Sequence, residues 1–265
     1  MKEVDKNRLA WNLLAKDHYE YYKKRLIHED TILNPIIINE LGDISGKKLI
    51  HLQCNGGADT ICLSRLGAKI TGVDFAPDNI HYARILAKDF GVLDATFIEA
   101  NLMEFKDCHH KKYDVVFTSE GVLGWLPDLN RWAQTVASLL NPDGFFYINE
   151  IHPFFLMLDE EAYAKKEFKF KYPYFGNQLD KSETIGGYAT TPQKAECYYW
   201  MFSLSEIVNS LINAGLEILY IHESDTLCYQ IGDMPHVNYA QLQWPEWKGK
   251  IPMMFSIKAR LRNTL

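Results

Sequence analysis

The sequence predicts an α/β fold built on a doubly wound, mostly parallel sheet, and three observations carry that expectation. From Lys48 onward, short apolar runs alternate with helix-length segments, the rhythm of strand–helix–strand crossovers. The runs are apolar at consecutive positions, as strands covered on both faces must be. Finally, the stretch "LIHLQCNGGADTICLSRLGAKITGVD", Leu49 to Asp74, reads as strand, glycine turn, helix, strand and acid.

The elements follow in chain order. Residues 5–25 have helical character, with Leu9, Leu13 and Leu14 among charged neighbours, and Pro35 interrupts the mixed segment leading to "GDISGKK". Strands are expected at Leu49–Gln53, Lys69–Val73, Ala95–Glu99, Tyr113–Thr118 and Phe145–Ile151. Between them, Pro77-Asp78 opens a helix in which Ile80, Ala83, Ala87 and Phe90 share a face. Asp128 caps another, with Leu129, Trp132, Ala133, Val136 and Leu140 in one stripe, and Asn141-Pro142-Asp143-Gly144 closes it with turn chemistry. The rhythm breaks over residues 153–202, which are rich in aromatics; their simplest role is extra strands over a substrate pocket. It resumes at Ser203, which forms a capping box with Glu206, while Gly215 ends that helix. A strand near Leu216–Ile221 and a last one in "PMMFSIKARL" complete the pattern.

Composition narrows the function. At 265 residues with 47% hydrophobic content, the chain can bury one sizeable core. A formal charge of −6 argues against a nucleic-acid binder, which needs a basic surface to neutralise phosphates. The five cysteines form no Cys-x-x-Cys pair, which suits reduced thiols. The polar N-terminus is no signal peptide, and no apolar run approaches the ~20 residues of a membrane span. The expectation is a cytoplasmic protein with no membrane partner. Cys108-His109-His110 lacks zinc-site spacing, so no metal is expected.

The opening stretch resembles a dinucleotide fingerprint in which glycines admit the cofactor backbone and the final acid accepts ribose hydroxyls. Asp74 lies 21 residues past Gln53, against about 20 expected. Yet His51, Gln53 and Asn55 stand where an acid and two glycines are usual, and only Gly56 and Gly57 remain. A pyrophosphate carrier would want all three glycines, which weakens a nicotinamide-dependent oxidoreductase as a reading. A cofactor without phosphate asks less of the turn. It needs an acid for the ribose, a polar group near adenine and a slot beside the first strand. Asn101 and Leu102 after the third strand, and Ser119, Glu120 and Gly121 after the fourth, supply such positions in order.

These features resemble the class I S-adenosylmethionine-dependent methyltransferases, in a small-molecule branch whose first strand reads "HLQC". Further stretches carry the likeness: "RLGAKITGVDFAPDNIHYAR", "SEGVLGWLPDLNRWA", "EIHPF", "SLSEIVNSLINAGLEI" and "IPMMFSIKAR". The resemblance implies a seven-stranded Rossmann-like sheet whose last strand is antiparallel. It implies one methyltransferase domain over 1–265: an N-terminal helical cap at 1–45, a cofactor-binding core at 46–152, a substrate cap at 153–202 and the rest of the core at 203–265. Cofactor contacts carry over to Gln53, Asn55, Gly57, Asp74, Phe75, Asn101, Leu102, Ser119, Glu120 and Gly121. By analogy Tyr19, with Trp11 and His18, closes over the cofactor from the first helix.

The implied reaction is in-line methyl transfer to a small-molecule nucleophile, leaving S-adenosylhomocysteine. The protein's part is to align the acceptor and exclude water, with a base only if the acceptor arrives protonated. His152 and Glu120 are the catalytic candidates; Trp125, His152, Tyr198 and Trp200 are the substrate-binding ones, and Glu150 and His236 are weaker. Cys54 is expected to be a small turn residue. His51 reads equally as a hydrogen-bonded core histidine or a functional one. A catalytically silent cofactor-binding protein on the same fold is the alternative.

Overall fold

The computed structural model describes residues 2–176, 178–186, 189 and 191–262. Helix α1 (Lys2–His28) opens the chain, and α2 (Pro35–Leu41) follows. Pro35 starts that helix rather than merely interrupting the chain: its missing N–H costs nothing at the first turn, and Asn34 caps it by accepting from the Ile36 N–H. The core alternation then runs β1 (Lys48–Leu52), α3 (Ala58–Arg65), β2 (Lys69–Asp74), α4 (Pro77–Asp89), β3 (Thr96–Glu99), α5 (Leu102–Cys108), β4 (Tyr113–Ser119), α6 (Leu129–Leu139) and β5 (Leu140–Ile151).

Two short helices, α7 (Pro153–Leu156) and α8 (Glu160–Ala164), and a hairpin of β6 (Leu179–Ile185) and β7 (Gln193–Trp200) lie between β5 and α9 (Leu204–Asn213). The chain finishes with β8 (Leu216–Ser224), the small pair β9 (His236–Asn238) and β10 (Gln241–Leu242), and β11 (Met254–Leu261).

Seven strands form one sheet in the order β3-β2-β1-β4-β5-β11-β8. The first five are parallel, and β11 runs antiparallel to both β5 and β8. Strand order reverses between β1 and β4, and in such sheets ligands bind at the carboxyl ends beside that switch point.

Alternate residues feed opposite faces. Ile50 and Leu52 of β1 join the layer under α5, α6 and α9, where Trp132, Val136 and Leu211 are also buried. Leu49 joins the opposite layer with Ile37, Ile61, Ile80 and Leu86 of α2, α3 and α4. A third cluster lies under α7, α8 and the C-terminal loops. A small fourth one, Ala10, Leu14, Ile185 and Cys197, joins α1 to the hairpin.

The predicted caps are present. Asp128 accepts from the Asn130 and Arg131 N–H groups, and Ser203 with Glu206 makes the reciprocal capping box. Several boundaries move by one to three residues, and that of β5 by five. The expected turn at 141–144 lies inside β5, because Leu140 already pairs with Tyr113 while Val115 pairs with Phe145. The intervening residues bulge outward, tied down by the Asn141 Nδ2 bond to Asp114 Oδ1 at 2.7 Å. A Cβ on Gly144 would meet the Tyr113 carbonyl oxygen at 2.9 Å, so the bulge needs glycine there.

Candidate functional site

The turn after β1 keeps a glycine-like backbone without the glycines. Gln53 and Asn55 have φ of 56° and 49°, and Gly57 has 80°. Left-handed backbone disfavours side chains and persists only where surroundings impose it. Here they do: Gln53 Nε2 donates to the Val122 carbonyl at 2.9 Å, and the Asn55 side chain takes the Gly56 N–H at 2.6 Å. At Gly57 a Cβ would lie 2.9 Å from the Ala83 Cβ, so that position admits only glycine. The turn is also fixed to β2, through the Cys54 N–H on the Val73 carbonyl and the Asn55 N–H on Asp74 Oδ2, both at 2.9 Å.

Gln53, Asp74, Phe75, Asn101 and Leu102 line one narrow cleft at the strand ends, together with Ala100, Met103, Trp125, Leu126 and Pro127. Val4 of α1 covers it. Asp74 is buried, and burial pushes its carboxyl pKa upward against the bonds it accepts. Its Oδ1 takes the Ala76 N–H at 2.9 Å and Asn79 Nδ2 at 3.1 Å, while Oδ2 holds Asn55. These bonds fix the carboxylate among the residues that line the cleft. Asn101 caps α5 by accepting from the Met103 N–H at 3.0 Å, which leaves its Nδ2 donor to offer a ligand. Phe75 and Leu102 give the cleft apolar walls. The Gln53 Oε1 atom is buried with no hydrogen-bond partner, an acceptor turned toward this region.

His51 has a structural explanation. Its Nδ1 lies 2.9 Å from Thr60 Oγ1 and its Nε2 3.2 Å from Ser119 Oγ; Ser119 in turn donates to Asp59 Oδ2 at 2.9 Å. A consistent direction runs from the Thr60 hydroxyl to Nδ1, then from Nε2–H to Ser119, then to Asp59. Burial holds the imidazole neutral, with its pKa pushed down to about 3. The acid expected on β1 is thus supplied by Asp59 from the first turn of α3, raised in pKa by burial. Sequence reasoning missed it, although an acid directly after Gly57-Ala58 was a readable signal. Ser119 is spent in this relay and does not line the cleft.

Glu120, half-buried at the end of β4, meets Asn34 Nδ2 at 3.3 Å. Burial first, then the negative charge of Asp59, pushes its carboxyl up to about 8. Glu150, buried, serves the backbone: it accepts from the N–H groups of Gly121 at 2.5 Å, Val122 at 2.8 Å, Leu123 at 3.0 Å and Ile151 at 2.6 Å. Gly121, with φ of 78°, turns the chain after β4. Its carbonyl takes the Trp125 indole N–H at 3.0 Å.

The remaining candidates separate. Trp125 lines the cleft and also a neighbouring chamber of about 290 Å³, whose wall includes Trp11 and Tyr199. Tyr198 and Trp200 fall on the other face of β7, since side chains alternate: Tyr198 bonds Glu196, and Trp200 packs on the α6/α9 layer. The ring between them, Tyr199, is the one in the chamber. His18 is buried and lies 3.4 Å from Asn55 Oδ1, so α1 does touch the turn. Tyr19 instead stacks on Tyr82 and donates to Asp89 at 2.6 Å on the α1/α4 surface. His152 caps α7, its Nδ1 accepting from the Phe154 N–H at 3.0 Å, and its Nε2 faces Glu223 at 2.9 Å. It lines neither cavity. His236 is exposed beside its own strand pair. Cys54 is a buried turn residue whose thiol pKa is raised by burial. Among the described residues, no group of three His, Cys, Asp or Glu side chains could hold a metal ion, and no helix is long and apolar enough to cross a membrane.

Comparison with known proteins agrees with this architecture. Residues 50–146 match the family described as a methyltransferase domain. A ubiquinone biosynthesis O-methyltransferase from Shewanella halifaxensis (strain HAW-EB4) is 30% identical over 124 residues, 45% of this chain and 52% of the relative. The chain therefore spans about half the length of the curated relatives it matches. Two solved structures share the fold. One is an S-adenosylmethionine-dependent methyltransferase from Mesorhizobium loti, with TM-score 0.55, 18% identity, and 85% and 96% of the two chains covered. The other is the glycopeptide N-methyltransferase MtfA with S-adenosylmethionine, with TM-score 0.55, 14% identity, and 85% of each chain covered. In its strand order and antiparallel final strand the chain shares the fold of these solved methyltransferases, and its residues 50–146 resemble the methyltransferase-domain family.

Proposed function

We propose that this protein binds S-adenosylmethionine in the cleft at the β1/β4 switch point and catalyses transfer of its methyl group to a small organic molecule. The observation that carries the reading is the convergence of Gln53, Asp74, Phe75, Asn101 and Leu102, from three strand ends, on one cleft. Their chemistry fits the cofactor. Asp74 is a carboxylate suited to ribose hydroxyls, and Asn101 Nδ2 can donate to a purine ring nitrogen. Phe75 and Leu102 suit a flat apolar ring. The unpartnered Gln53 Oε1 is an acceptor suited to an ammonium. When bound, the cofactor supplies an electrophilic methyl carbon on a sulfonium sulfur.

The chain's own residues orient the partners and exclude water, which is most of what such a displacement requires. Neither base candidate lines the cleft or the chamber: Glu120 meets Asn34, and His152 caps α7 beside Glu223. No general base is therefore assigned, which suits an acceptor that arrives deprotonated or neutral. Free thiols at all five cysteines support a cytoplasmic, reducing location.

Calorimetric titration with S-adenosylhomocysteine tests the reading. Binding by the wild type is expected, and Asp74→Ala should weaken it by about 1–3 kcal/mol, the cost of a lost charge-assisted hydrogen bond. No heat from folded protein at millimolar ligand would sink the proposal.

A further inference from the structure

The chamber beside the cleft has a chemistry of its own. Trp11 of α1, Trp125 after β4 and Tyr199 of β7 bound a space of about 290 Å³. The Trp11 and Trp125 rings are 5.1 Å apart and inclined at 80°; Trp125 and Tyr199 are 5.3 Å apart at 89°. Trp125 thus stands nearly perpendicular to both other rings, and three aromatic rings around one space can offer π faces to a cation.

Two of the rings are held in place. The Trp125 indole is anchored on the Gly121 carbonyl. Tyr199 sits directly on Gly124, where a methyl group would overlap its ring. The remaining wall is the inner face of the hairpin, with Asp180, Ser182 and Thr184. Asp180 is the partner of Tyr199 across the two strands. Its Oδ2 takes the Tyr172 hydroxyl at 3.0 Å, leaving its other oxygen open. Among the described residues that line the chamber there is an acid and no Lys, Arg or His. A site of one sign, walled by apolar rings, concentrates the opposite charge.

We propose that this chamber is a recognition subsite for a substituted organic ammonium group carried by the methyl acceptor. It rests on the methyl-transfer reading only in making Trp125, shared with the cofactor cleft, the boundary between donor and acceptor. A fully substituted ammonium has no lone pair, so the group held here is a handle that positions the substrate and is distinct from the atom methylated. At about 290 Å³ the space lies near the lower end of the range of ligand pockets, about 300–1,000 Å³, and has room for a small substituted ammonium such as trimethylammonium.

The test compares choline with its uncharged carbon isostere, 3,3-dimethyl-1-butanol. Each is titrated by tryptophan fluorescence into protein already saturated with S-adenosylhomocysteine, saturation being verified by calorimetry. Choline should bind about tenfold more tightly, in the range of cation–π and charge effects. Asp180→Asn, which preserves shape, should bring that ratio several-fold closer to one while leaving S-adenosylhomocysteine affinity intact, and Trp11→Leu should lower the ratio too. Equal affinity for the two probes, tighter binding of the alcohol, or binding of neither while S-adenosylhomocysteine binds would overturn the subsite alone. Failure of S-adenosylhomocysteine to bind would take down the cofactor reading and this inference with it.

Discussion

The ends of the parallel strands and the cap of α1 and the β6/β7 hairpin are built by different means. At the strand ends, buried carboxylates hold the loops. Glu150 gathers four backbone N–H groups, Asp74 takes three donors, and Asp59 terminates the His51–Ser119 relay. In the cap, rings meet edge to face, and buried Asn7 ties α1 to β7, donating to the Tyr198 carbonyl at 2.8 Å and accepting its N–H at 2.7 Å. The loops that frame the cleft are thus held by buried carboxylates, and the chamber is walled largely by packed aromatic rings.

The sharpest way to break this contrast is Glu150→Gln. Replacing one acceptor oxygen by a donor confronts an N–H cluster with N–H, and global stability should fall by about 2–4 kcal/mol. Urea denaturation reads it, and a loss below about 1 kcal/mol would show the loop to be self-supporting.

Next in size is a pH effect at Glu120. An acid raised from 4.5 to about 8 in the folded state contributes stability that is complete below pH 4.5 and is lost as pH rises through 8. With roughly 1.4 kcal/mol per pKa unit, and discounting for partial access to water, the loss should be about 2–3 kcal/mol. Denaturation of the wild type between pH 5 and 8 should show it, and Glu120→Gln should flatten it. Parallel curves for the two proteins would mean that Glu120 ionises freely.

Asn7→Ala should have the smallest global effect, about 1 kcal/mol. Its signature is local: faster amide exchange in α1 and β7, with β1 and β4 unchanged. Equal loss of protection in the central strands would erase the distinction between the two regions.

Legibility followed the same division. Strand positions and the Asp128 and Ser203 caps could be read because a buried parallel sheet writes its pattern locally. Gln53, Asp74, Phe75, Asn101 and Leu102 share the cleft because each follows or ends a strand. The Asp59 relay could not, since it joins residues 60 positions apart whose only common property is position in space. In "CYYW", Cys197 to Trp200, adjacent aromatics leave the period-two phase undetermined. Pairing of Asp180 with Tyr199 fixes it, and a shift of one residue would exchange every face. Tyr19 was missed differently: on a helix, one step from His18 turns a side chain from the turn toward α4.

The Asn7 tie has a consequence for how the chain reaches its native state. It joins residues 191 apart, so α1 can be helical early yet has no partner for this amide until the hairpin has formed. Contacts of such separation are the slow ones to close. The first helix made should therefore be among the last elements to dock, leaving Val4 and Trp11 outside the cleft and chamber until the rest of the fold is complete.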